Sequence, residues 1–225
     1  MKKKIGIILL SAVLLLGCTG MVFAATPSLR DWITQMVTAN SGKTIALTVN
    51  GEPIYQETIE LKKSFYDISR TVAEQQMQKL SLSDAEQSTY MQAIGMTAIP
   101  DEQKIRTDLI RNKVMLQEAQ RRGLSVSDEA ALTAARQQYE AGKAAALADN
   151  PSEAATYNYN FITEYRTVKN WSEEEYLQES AQVYKDIMLR QMLYKNYAAG
   201  QQDATMESFE AYVDTLVDQA EIVLK

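Results

Sequence analysis

Groups that could do covalent or metal chemistry are scarce in this chain. It has no histidine, and its single cysteine, Cys18, falls in an apolar leader. The usual zinc ligand sets and the Cys–His and Ser–His nucleophile pairs are therefore missing from the rest of the sequence. A carboxylate-only or Ser–Lys site is still compatible with the composition. No Gly-rich phosphate loop, G-x-S-x-G turn or EF-hand spacing is present. The densest carboxylate run, Glu173-Glu174-Glu175, opens a helical segment. There it matches the positive end of the helix dipole, and no acid–base partner accompanies it. Arg121-Arg122 reads as the mirror case, two cations closing a helix rather than an anion site. The expectation is no catalytic residue, no cofactor, no metal and no enzyme.

What the sequence does supply is aromatic and thioether surface. The stretch TYNYNFITEYRTVKNWSEEEY holds Tyr157, Tyr159, Phe161, Tyr165, Trp171 and Tyr176, and Tyr184, Met188, Met192 and Tyr194 follow. Aromatics offer large contact area at low entropic cost, and methionine re-packs around many shapes, so such residues suit the holding of polypeptide. Residues of these types at helical spacing also build cores. Tyr157 and Tyr159 sit about 200° apart around a helix and cannot both face one core. Tyr176 beside Leu177 and Tyr194 beside Leu193 repeat the argument. Met188 and Met192 share one stripe, for which core and binding cradle are both open.

The N-terminus, MKKKIGIILLSAVLLLGCTGMVFA, is laid out as an export signal: basic residues, an apolar run, then small residues. Three fates are open to residues 1–24. Cleavage after Ala24 would release a soluble protein. The lipobox-like Leu15-Leu16-Gly17-Cys18 would instead make Cys18 a lipidated N-terminus. Retained, Ile5 to Ala25 is close to the roughly 20 residues that span a bilayer. Each places the remainder outside the cytoplasm. The leader carries three lysines and no acid, so the formal charge of −6 becomes −9 without it. That acidity argues against nucleic acid and against electrostatic binding to anionic lipid. Residues 25–43 read as a connector with an amphipathic patch around Trp32 to Met36, and residues 44–225 as one domain.

The elements of that domain follow from periodicity and caps. Thr44 to Asn50 alternates as a strand with Ile45, Leu47 and Val49 on one face, turning at Asn50-Gly51 and stopping at Pro53. A long amphipathic helix spans about Gln56 to Leu80. Ser83 and Glu86 form a capping box for a short helix ending near Gly95. Pro100 opens a third helix, to about Arg122, with Ile105, Leu109, Leu116 and Ala119 on one face. Gly123 suits a left-handed C-terminal cap, with Leu124 folding back on the last turn. An Ala-rich helix runs to about Ala148. Asn150-Pro151-Ser152-Glu153 caps the next, to about Val168. Ser172, with Glu175 three residues on, caps a helix reaching about Ala199. It is apolar on two sides, through Leu177, Ala181, Tyr184 and Met188 and through Tyr176, Val183, Ile187 and Tyr194. A last helix spans Thr205 to Gln219. AEIVLK is the only other strand-like segment and so the natural partner of the first strand. The fold class expected is mostly α, with a two-stranded pairing of residues 45–50 and 220–225 packed against the helices.

Three stretches in order resemble the SurA and PrsA extracytoplasmic chaperones. A short strand ending V-N-G-E-x-I precedes a long helix. DLIRNKVMLQEAQRRGLSVSDEA, Asp108 to Ala130, is similar to the family's most recognisable segment. FEAYVDTLVDQAEIVLK resembles its closing helix and strand. The resemblance spans about Ile45 to the C-terminus and is weaker in the middle. It implies an elongated helical cradle whose terminal strands pair and which binds unfolded or nascent exported polypeptides without ATP. Relatives often carry a parvulin-type prolyl isomerase between the chaperone halves. Here there is no room for one and no parvulin motif, so the isomerase activity does not transfer. Tyr55 also departs from the Ser or Thr that often caps the family's first helix. Two other functions stay open at this level, a dedicated adaptor for one envelope protein and a residual isomerase.

Overall fold

The computed structural model describes residues 29–39, 43–79, 81–93, 100–151, 153–201 and 203–225. The leader and Cys18 lie outside the described residues, as does the side chain of Tyr157. The helices are α1 (Leu29–Ala39), α2 (Gln56–Lys79), α3 (Asp84–Ala93), α4 (Glu102–Arg121), α5 (Asp128–Ala146), α6 (Glu153–Lys169), α7 (Glu173–Ala199) and α8 (Met206–Asp218). Strands β1 (Ile45–Val49), β2 (Glu52–Tyr55) and β3 (Ile222–Leu224) form one antiparallel sheet in the order β2-β1-β3. The fold is thus mostly helical with a small strand pairing. No described helix is long and apolar enough to cross a membrane.

Helix boundaries sit where the capping chemistry puts them. Ser172 caps α7 in a reciprocal box with Glu175, and Thr205 caps α8 in another with Ser208. The Ser83 backbone N–H and hydroxyl both donate to Glu86, at 2.9 and 2.6 Å. Two proline assignments need correcting. Asp101 is the N-cap of α4, its carboxylate accepting from the Lys104 N–H at 2.7 Å, so Pro100 precedes the helix. Pro151 likewise lies ahead of α6. The end of α4 is a Schellman turn: the Gly123 N–H donates to Gln120 O (2.8 Å) and the Leu124 N–H to Ala119 O (2.9 Å). Gly123 has φ +72, and a Cβ there would meet nothing within 4 Å. Gly123→Ala therefore isolates the left-handed backbone cost. It should lower stability by about 1–2 kcal/mol in denaturant unfolding.

The sheet pairs the two far segments of the domain as the alternation predicts, with Leu47 opposite Leu224 and Val49 opposite Ile222. It also contains a strand that was not expected. The chain does not stop at Pro53: Asn50 (φ 50) and Gly51 (φ 81) form a two-residue type I′ turn, and β2 folds back on β1. Proline is tolerated because β2 is an edge strand, where a missing N–H can face outward. A bulge between Ile45 and Leu47 changes the expected face. Ala46 turns inward while Ile45 is exposed, so only Leu47 and Val49 of the expected trio are buried. β3 is exposed along its length and is not packed between helices. Asn50 ties the corner together. Its N–H donates to Glu221 O at 2.8 Å, its Oδ1 accepts from the Glu221 N–H at 2.9 Å, and its amide donates to Gln117 at 2.8 Å.

The chain divides into two compact units, each assembled from separated segments. Of the described residues, the first takes those up to Thr38 and those within Lys62–Pro100 and Glu140–Asn170; the second takes those within Ala39–Leu61, Asp101–Tyr139 and Trp171–Lys225. In the second unit α4 packs against α7, α8 and β1. Its core gathers Ala119, Val126, Ala131, Leu189, Leu193, Phe209 and Val213. On α4 the innermost positions are Ile105, Val114, Glu118 and Ala119. Leu109 and Leu116, expected beside Ile105, are half-buried. In the first unit the second half of α2 and α3 border an open cleft of about 530 Å³. Met77, Met91 and the Arg70–Glu74 pair are among its lining residues.

Candidate functional site

The predicted aromatic set is divided between the two units. Tyr159, Phe161 and Tyr165 ride on α6 in the first unit, and all three are half-buried. The Phe161 and Tyr165 rings stack at 6.2 Å, as residues four apart on one helix face can. Trp171, Tyr176, Tyr184, Met188, Met192 and Tyr194 belong to the second unit, and all are half-buried.

On α7 the neighbours differ as the spacing requires. Leu177 and Leu193 are fully buried, while Tyr176 and Tyr194 beside them are not. The buried line is Leu177, Leu189 and Leu193, rather than either expected stripe. Met188, Met192 and Tyr194 lean on the core cluster from its margin. Val183, by contrast, is 56% exposed. Tyr176 meets Tyr139 of α5 at 5.8 Å. Burial, and then the neighbouring Tyr176, pushes the Tyr184 hydroxyl above its ordinary pKa.

Polar groups on α7 are set among these apolar residues. Burial raises the Asp186 carboxyl, although Arg190, Lys113 and Lys185 pull it the other way. Burial also lowers the Arg190 guanidinium, opposed by Asp186. Arg190 donates to Asn112 Oδ1 at 2.6 Å and to the Asp186 carbonyl at 3.3 Å. These partly desolvated polar groups are bonded within the chain and lie on the same helix as the adaptable apolar ones.

One constellation escaped the sequence reading. Glu118 is 5% exposed and accepts from Arg121 (2.6 and 2.8 Å), Arg122 (2.7 Å) and the Tyr212 hydroxyl (2.6 Å). Those bonds, Arg121's foremost, hold its pKa down at about 2. Arg122 also donates to Tyr212 Oη and to Asn196, and its guanidinium lies 5.3 Å from the Tyr212 ring centre. Tyr212 stacks on Tyr197 at 5.1 Å, and Phe209 meets Tyr194 edge-on at 5.1 Å. The arginine pair thus clamps an internal carboxylate as well as closing a helix. The i+3 and i+4 spacing of Glu118 to the arginines was readable, but Tyr212, 94 residues away, was not.

The acid run also has structural employment. Tyr139 Oη donates to Glu173 at 2.8 Å, Arg136 donates to Glu174 at 2.7 Å, and Glu175 completes the α7 cap. Among the described residues no group of His, Cys, Asp and Glu could hold a metal ion. Compared with family models, curated proteins and solved structures, the chain matches none.

Proposed function

We propose that this protein is an exported, ATP-independent holder of unfolded or partly folded polypeptide, kept outside the cytoplasm by its N-terminal signal and without isomerase activity. The observation that carries the reading is α7. It buries one line of leucines fully, yet leaves Tyr176, Tyr184, Met188, Met192 and Tyr194 only half-buried and Val183 exposed along 27 residues. The exposed positions around them are polar, among them Glu174, Glu175, Gln178, Glu179, Gln182 and Lys195, so Val183 stands out as an apolar side chain on a charged outer face. Large adaptable side chains there suit clients of varied sequence. The ordered resemblance of three segments to SurA and PrsA chaperones supports the same reading, and the N-terminal layout supports an envelope location with a membrane tether through the N-terminus.

The test has two arms. Near-stoichiometric protein should suppress aggregation of a reduced, unfolded model substrate, and it should leave proline-limited refolding unaccelerated. A photo-reactive residue at Val183 should crosslink to a broad spread of exported proteins in the envelope. One stoichiometric crosslinked partner would mean a dedicated adaptor. Neither suppression nor crosslinking would end the proposal.

A further inference from the structure

The two edges of the small sheet are built differently. The β2 edge carries Glu52, which pairs with Lys113 at 3.1 Å, and Pro53. Charge and proline are the features that keep sheet edges from pairing with other chains. The β3 edge has neither within the strand. Ile222 is 38% exposed, Val223 39% and Leu224 73%.

The hydrogen bonds to β1 fix which groups of β3 face outward. Asn50 N–H donates to Glu221 O, and Lys225 N–H donates to Ala46 O at 3.1 Å. Residues 221, 223 and 225 therefore turn their backbone groups toward β1, and Ile222 and Leu224 turn theirs to the open edge. An antiparallel strand added here must form its bonded pairs at 222 and 224. The segment Glu221-Ile222-Val223-Leu224-Lys225 satisfies that demand with a second copy of itself. Centred on Val223, the pairing sets Ile222 against Leu224 of the other copy in bonded pairs, and Val223 against Val223. It also sets Glu221 opposite Lys225, twice, in the closer non-bonded geometry. Registers centred on Ile222 or Leu224 lose both charge matches. Ile222 and Leu224 share the face of the buried Val49 and Leu47, so the apolar face would continue across the junction.

We propose that β3 is a self-association edge: two copies of this chain pair antiparallel about Val223 into a six-stranded sheet, β2-β1-β3-β3-β1-β2. Four backbone hydrogen bonds and two ion pairs make a small interface, and the dimer is correspondingly weak and concentration-dependent. The inference is independent of the proposed polypeptide-holding role.

Sedimentation velocity of the full-length protein in detergent reads the association. Glu221→Lys alone and Lys225→Glu alone should each weaken the dimer about tenfold, by placing like charges opposite each other twice. The double exchange should restore it. Leu224→Pro should abolish it while keeping the β1 ladder, because the lost N–H faces outward. Val223→Cys in a Cys18→Ser chain should form an intermolecular disulfide on mild oxidation, since non-bonded pairs bring Cα atoms to about 4.5 Å. Leu147→Cys, exposed elsewhere, should not. A monomer at every soluble concentration, or a dimer indifferent to the charge exchange, would overturn the proposal. So would a monomer whose residue 223 crosslinks to an extended client peptide.

Discussion

Glu118→Gln should lower the unfolding free energy by about 2–3 kcal/mol at neutral pH and flatten the acid limb of the stability curve. The carboxylate is ordinary in the unfolded chain, with a pKa near 4.5, and is held at about 2 in the folded one. A depressed carboxylate stabilises the fold wherever it is ionised in both states, that is, above pH 4.5. As pH falls from 4.5 toward 2, the unfolded chain takes up the proton first, and the stabilisation drains away across that window. The amide keeps the shape and accepts one hydrogen bond well, but it cannot balance Arg121 and Arg122 together. Tyr212 also loses its charged acceptor, while burial still disfavours its phenolate. Urea unfolding of wild type and variant from pH 7 to pH 2 checks both parts. The gap should be constant above pH 5 and close below pH 4. A gap that stays open at pH 2 would mean the loss comes from repacking rather than from charge.

The legibility of this fold in its sequence follows the range of the forces involved. Caps and turns are set within four residues, so Ser172 with Glu175, Gly123 and Asn50-Gly51 were all readable. Pairing across the domain was readable at one place only, where two strand-like segments had no other partner. The missing strand shows the limit. Glu52 to Tyr55 begins with an acid and a proline, so its propensity speaks against a strand. The turn geometry of Asn50-Gly51 folds it back on β1 regardless. The bulge at Ala46 was hidden for a related reason, because alternation assumes an unbroken ladder. At the candidate site, spacing alone could say that Tyr176 and Leu177 face different ways. It could not say which side of α7 is buried, since that depends on α4 and α8. Nothing in the sequence around Glu118 announces Tyr212, which comes from 94 residues away.

Phe209→Ala should be the more damaging core change, at about 3–5 kcal/mol, and it separates what stabilises the second unit from what merely closes it. Phe209 is 5% exposed and sits among Tyr194, Tyr197 and Tyr212, with ring centres 5.1, 5.4 and 6.2 Å away. Its removal leaves a cavity bordered by rings that are anchored elsewhere. Tyr197 Oη is tied to the Ser208 carbonyl at 3.0 Å and Tyr212 Oη to Glu118, so neither ring is free to swing in. Truncating the chain after Glu221 is the opposite case. The pairing of residues 45–50 with 220–225 suggests, from sequence, that removing the last six residues unfolds the domain, but β3 is exposed on every residue. Its loss should cost about 1–3 kcal/mol, mainly through the hydrogen bonds to β1. Asn50 keeps its two bonds to Glu221 in that variant. Thermal unfolding monitored by far-UV circular dichroism ranks the two, because both variants keep the helices whose loss it follows. The Phe209 variant should melt well below the truncated chain. The reverse order would place the stability of this unit in the strand pairing, and the helical core would then be the dependent part.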